Sequence, residues 1–166
     1  MSVSISDESG QETVSAEGLA ELTDLVAFLY AQMHLGREVE LAVTLCDESR
    51  MEQLHQEWMS LPGATDVMSF PMDELSPGLP GHVVETGTLG DIVLCPTVAA
   101  AQAEAHGHSI LDELCLLTVH GVLHLLGYEH DTPEARSEMF HLQRVLLEEF
   151  LGRDAPVPTE SDPGSA

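Results

Sequence analysis

Residues 120–130, HGVLHLLGYEH, place three histidines at a spacing that suits a metal ion. His120 and His124 are four apart, so on a helix their side chains leave the same face one turn from each other. Gly127 is suited to end that helix in the left-handed conformation, which lets the chain turn back and bring His130 to the same ion. Three imidazoles leave a fourth coordination position for water, the arrangement of catalytic zinc; closed structural sites fill all four. The expected cofactor is one zinc ion, with nickel, copper or iron as alternatives that also accept imidazole. A single His on an apolar helix face is more often a hydrogen-bonded core residue. Two on one face each carry a desolvation cost that a metal offsets.

Position 121 is Gly, so the Glu that acts as general base in the protease pattern H-E-x-x-H is missing. A base must come from elsewhere, or water on the metal must be acidic enough alone. Glu129 and Asp131 flank His130. They either orient a ligand and assist proton transfer, or are solvated charges, Asp131 then helping Thr132 to cap the next helix. The remaining histidines, His106 and His108 among them, have no comparable spacing and read as bystanders.

The elements that must position this trio follow from periodicity. Residues 3–6 suggest a short strand, and 16–34 an amphipathic helix carrying Leu22, Leu25, Val26, Leu29, Tyr30 and Met33, with Gly36 as punctuation. Val39, Leu41, Val43 and Leu45 alternate as a half-buried strand. Asp47 caps a helix with Met51, Leu54 and Trp58 on one face. Pro62-Gly63 breaks it, and DVMSF (66–70) reads as a strand. Residues 71–87 form a loop, 88–95 a last strand, and an Ala-rich helix runs from Pro96 to about Gly107. Ser109 with Asp112 resembles a capping box, opening a helix that is apolar nearly all round and therefore lies inside the core. Thr132-Pro133 starts a final helix to about Leu151. The fold class expected is α/β (α+β): a small, mostly parallel or mixed four-stranded sheet packed with about five helices, the metal on a core helix and the loop after it. Residues 1–151 make one domain, and 152–166 an acidic, Pro-containing tail without fixed structure.

Composition sets outer limits. The 166 residues, 43% hydrophobic, suffice for one core. No apolar run is long enough for a membrane span, and the start MSVSISDESG lacks a secretory pattern; the cytoplasm is the expected compartment. Cys46, Cys95 and Cys115 are dispersed in apolar surroundings and read as reduced core residues. Five Arg, no Lys and 29 acids give a net charge of −24. Such a field repels polyanions, so composition by itself does not suggest free nucleic acid, whose nonspecific affinity comes from neutralised phosphates. A general acidic surface bias and a functional cause both fit that balance.

Three motifs together resemble one family. HGVLHLLGYEH, followed by a helix with Met139 and Leu146, is similar to the signature of the YbeY family of bacterial endoribonucleases and rRNA maturation factors. TDVMSFP (65–71) and LGDI (89–92) resemble two further motifs of that family, in the same order, and the likeness runs from about Leu41 to Phe150. The resemblance implies a compact α/β fold with zinc on His120, His124 and His130 in a cleft. It implies action in rRNA maturation, notably at the 3′ end of 16S rRNA, and in ribosome quality control, with the ribosome, its RNA and its proteins as partners. The mechanism implied is metal-assisted hydrolysis of a phosphodiester. Thr65, Asp66, Ser69 and Asp91 are then substrate-side cleft residues, Asp91 having the alternative of an ordinary turn acid. Where the family often has a Tyr-Arg-like pair, with the Arg on RNA phosphate, this chain has Trp58-Met59. Two other readings are a zinc peptidase or similar small hydrolase, and a non-catalytic assembly factor with a structural metal.

Overall fold

Alternation along Val39, Leu41, Val43 and Leu45 buries one face of a long strand, and the rest of the molecule is arranged around that face. A computed structural model describes residues 2–10 and 14–158. The elements run β1 (Val3–Asp7), α1 (Ala16–Gln32), β2 (Leu35–Leu45), α2 (Glu48–Met59), β3 (Val67–Pro71), β4 (Val84–Leu94), α3 (Pro96–His106), α4 (Ile110–Leu125) and α5 (Pro133–Leu151). The strands form one mixed sheet in the order β1-β2-β4-β3. β1, β2 and β4 are parallel, and β3 runs antiparallel along β4 as an edge. Among the described residues the chain forms the expected four-stranded sheet with five helices.

Most helix boundaries follow local chemistry. Ser15, Asp47, Ser109 and Thr132 each accept a hydrogen bond from a backbone N–H of the first turn, satisfying donors that have no partner within the helix. The capping box at Ser109 is half made. Its hydroxyl accepts from Asp112 N, but the Asp112 carboxylate pairs with Arg153 at 2.6 and 2.9 Å.

Three expectations are corrected. β2 begins at Leu35, so Gly36 lies within the strand, where a Cβ would stand 2.9 Å from the Val84 carbonyl. β4 begins at Val84, four residues before the expected start, because pairing with β2 extends into the polar segment. Trp58 does not share the buried face of α2: Met51, Leu54 and His55 are buried, whereas Trp58 is 62% exposed.

α1 and α4 pack on one face of the sheet, and α3 and α5 flank α4. α4 is buried on nearly every side, as its sequence implies; each fully buried Leu along it contributes about 1.5–3 kcal/mol of burial. The opposite sheet face carries α2 over a smaller cluster of Cys46, Met51, Leu54, Met68, Val93 and Cys95. Of the described tail, Gly152, Arg153, Asp154 and Val157 are exposed, while Ala155 and Pro156 touch the body of the protein. Ala155 N donates to Glu148, and Pro156 is buried; the remainder of the expected unstructured tail, 159–166, lies outside the described residues. Among the described residues no helix is long and apolar enough to cross a membrane.

Candidate metal centre

α4 carries His120 and His124 on one face of its last two turns, and the chain after Leu126 reverses through Gly127 (φ +98°). That reversal brings His130 against both. The ring centroids stand 6.0 Å apart for His120 and His124, 5.4 Å for His120 and His130, and 5.8 Å for His124 and His130. With ring nitrogens about 2.1 Å from a tetrahedral ion, imidazole centres fall about 5 Å apart. The triangle is thus slightly wider than a ligated one. Among the described residues no set of three or more His, Cys, Asp or Glu is drawn up tightly enough to grip an ion as it stands. The centroids stand a few tenths of an ångström to about 1 Å farther apart than ligation by one ion requires.

The ring tautomers favour an ion. His120 Nδ1 donates to Gln143 Oε1 at 3.0 Å, and His124 Nδ1 donates to the Tyr128 carbonyl at 2.8 Å. Both partners are acceptors, so the proton sits on Nδ1 and Nε2 keeps the lone pair that a metal requires. His130 is held below its ordinary pKa, first by burial, then by the neighbouring His124 and Arg136. The donor set suits zinc in its chemistry, with a spacing slightly wider than that of a ligated trio.

The sequence did not single out the residues that hold these rings. Gln143 is 3% exposed within the apolar stripe Met139, Leu146 and Leu147 of α5. A polar residue at a core position of an amphipathic helix is the signal that would have found it. One turn earlier, Phe140 packs its ring 6.1 Å from those of both His120 and His130. Arg136 lays its guanidinium 4.6 Å over the Phe140 ring, a cation–π contact that places a positive charge beside the trio.

Other expected site residues fall elsewhere. Glu129 Oε2 is 3.7 Å from His124 Nδ1 and largely exposed; it lies by the ring edge away from the lone pair, which suits orienting His124 and not taking a proton at the ion. Asp131 is exposed, and Thr132 caps α5 through its own hydroxyl. Thr65 and Asp66 are buried in a structural network. Asp66 Oδ1 accepts from Val67 N at 2.8 Å and Thr65 Oγ1 at 3.3 Å. The Gln102 amide, with its nitrogen turned toward both carboxylates, donates to Asp66 at 3.1 Å and to Glu113 at 3.3 Å. Glu113 is fully buried and bonded to His108, and burial raises its pKa despite that partner. It lies seven residues before His120, about 10 Å along α4. Thr65 and Asp66 therefore secure the start of β3 and do not join the trio.

Ser69 pairs with Ile92, whose side chain meets α4, and its buried Oγ has no hydrogen-bond partner. Asp91, one residue before Ile92, faces the other side of the sheet and is excluded from the histidine site by strand alternation. Gly121 is explained by the same strand: a Cβ there would stand 2.9 Å from Ile92 Cδ1 and 3.1 Å from its Cγ1 and Cγ2. A glutamate base at that position has no room.

The family model for endoribonuclease YbeY matches residues 4–151. The chain belongs to the endoribonuclease YbeY family. Relatives of that name include the protein of Renibacterium salmoninarum, 55% identical over 96% of this chain and 99% of its own. The Micrococcus luteus relative is 54% identical over 98% of this chain and 100% of its own. Among solved structures, the solution structure of TM1509 from Thermotoga maritima shares the fold, with TM-score 0.62 and 24% identity over 90% of this chain and 89% of that one.

Proposed function

We propose that this chain is a zinc-dependent endoribonuclease that acts on ribosomal RNA, at the 3′ end of 16S rRNA and in ribosome quality control. The convergence of His120, His124 and His130, two of them anchored through Nδ1, carries the metal part of this reading. Membership of the endoribonuclease YbeY family supports the substrate.

The Nε2 lone pairs of His120 and His124 and a ring nitrogen of His130 would hold zinc, which supplies Lewis acidity toward a phosphate oxygen and lowers the pKa of water. Gln143 and the Tyr128 carbonyl keep two rings aimed. Phe140 packs beside His130 from α5, and burial favours the uncharged form of His130, the form in which an imidazole binds a metal. Arg136, over the Phe140 ring, would place a guanidinium where it can approach a non-bridging phosphate oxygen. It supplies beside the trio the kind of cation that Met59 does not.

The test is cleavage of precursor 16S rRNA within ribosomes, with metal analysis of the same preparation. About one zinc per chain is expected, and both zinc and cleavage are lost in His124→Ala and on chelation. Cleavage that survives chelation and His124→Ala refutes the reading. If rRNA processing persists in that variant while thermal stability falls, the metal is structural and the chain an assembly factor.

A further inference from the structure

On the sheet face opposite α4, strands β2, β3 and β4 and the helix α2 enclose an open cavity of about 930 Å³. Its floor is the outward-facing row of the sheet. Asp91 is paired in register with Phe70 on one side and Ala42 on the other, so the carboxylate and the aromatic ring are direct cross-strand neighbours, about 5 Å apart at Cβ. Trp58 forms the wall. Its ring meets Phe70 edge-on, with centroids 5.5 Å apart and planes at 70°, and it remains 62% exposed. An indole braced by one aromatic neighbour and largely open to the cavity offers a surface for stacking. Glu8 and Arg50 stand at the rim.

We infer that this cavity binds one unpaired RNA base that carries an exocyclic amino group, stacked on Trp58 with its amino edge on Asp91. The inference rests on the reading of the chain as an RNA-cleaving protein. The volume lies within the range of about 300–1,000 Å³ usual for small-ligand pockets. Phosphate is disfavoured as the occupant, because Asp91 and Glu8 outnumber Arg50. A base is not. Stacking on an aromatic ring needs no cation and contributes through the π-face that every base has. A carboxylate accepts from the amino group of cytosine or an amino-bearing purine. Uracil presents one N–H between two carbonyls, whose lone pairs would face the carboxylate. With five Arg, no Lys and 29 acids, the chain can neutralise few phosphates, so its hold on RNA must come largely from the bases. The cavity borders β3, the sheet edge whose other face meets α4.

Trp58 is the sole tryptophan, so its emission reports on this cavity directly. The full chain is titrated with hexameric oligocytidine, hexameric oligouridine and ribose 5-phosphate, with labelled-oligomer anisotropy as an independent measure of binding. Oligocytidine is expected to quench emission saturably, to bind roughly tenfold more tightly than oligouridine, and to show a shallow salt dependence; ribose 5-phosphate leaves emission unchanged. Asp91→Ala brings the two affinities together. Trp58→Leu, at an exposed position, weakens both by anisotropy and guards against a misfolded Asp91 variant. Equal affinities in the unaltered chain, binding without any change in emission, quenching by ribose 5-phosphate, or no binding of either oligomer overturns the inference. Metal-dependent rRNA cleavage with its loss in His124→Ala is a separate readout, so a chain that cleaves RNA while its emission ignores the base refutes the pocket alone.

Discussion

Replacing Gly121 with alanine adds one methyl group where α4 presses on β4, and two opposing effects decide the outcome. Alanine in a helix interior is favoured over glycine by about 1 kcal/mol. Against this, the new Cβ would meet Ile92 Cδ1 at 2.9 Å and Cγ1 and Cγ2 at 3.1 Å. Turning the end of the Ile92 side chain moves only Cδ1; both branch atoms at Cβ stay in place, and Ile92 is fully buried. Relief therefore requires α4 to shift or the core to repack, at about 1–3 kcal/mol. Overpacking wins by about 1 kcal/mol, which lowers the melting temperature by roughly 2–4 °C for a domain of this size. In an Ile92→Ala background all three contacts vanish, and the same Gly121→Ala change should raise stability by about 1 kcal/mol. The assay is thermal and denaturant unfolding of the four proteins of this cycle, with zinc affinity measured alongside, since His120 adjoins the shifted position. A Gly121→Ala protein more stable than the parent, or one with the same effect in both backgrounds, refutes the claim that close helix–sheet approach demands glycine here.

Gln143→Leu keeps the volume on α5 but removes the acceptor for His120 Nδ1; zinc affinity by chelator competition should fall about 10–100-fold, and an unchanged affinity removes Gln143 from the site. Arg136→Gln should lower kcat/KM for rRNA cleavage by about 10–100-fold, the worth of one charge-assisted hydrogen bond, with zinc content unchanged. A loss confined to zinc content would make Arg136 a prop for Phe140 only. Burial first, then Glu21 and Asp112, pushes the Cys115 thiol up to about 12 from an ordinary 9.0. The folded chain thus holds this proton more tightly than the unfolded one, so the stabilisation is complete below about pH 9 and is lost as pH rises toward 12. Cys115 should resist iodoacetamide at pH 8 until denaturant unfolds the protein, and the denaturation midpoint should fall above pH 9; labelling of the native protein at Cys115 contradicts this.

Much of the architecture was legible because it is written in short-range patterns. Alternation along 39–45 specifies a half-buried strand, and an all-round apolar run at 110–125 specifies a core helix. Caps at Ser15, Asp47, Ser109 and Thr132 act on residues only three away. The histidine trio was legible for the same reason, since an i, i+4 pair and a glycine-ended helix confine all three rings to one neighbourhood. Partners remote in sequence were decided by tertiary packing alone. Gln143 reaches His120 across 23 positions, and Arg136 acquires its place only once α5 lies against α4. Trp58 has the helical spacing of a core residue, yet it meets the edge strand's Phe70 at the border of an open cavity and stays 62% exposed. TDVMSFP and LGDI are each a single motif in sequence, but a strand sends successive side chains to opposite faces. Ser69 and Ile92 accordingly face α4, while Phe70 and Asp91 face the cavity, a division that depends on which helix covers which side of the sheet.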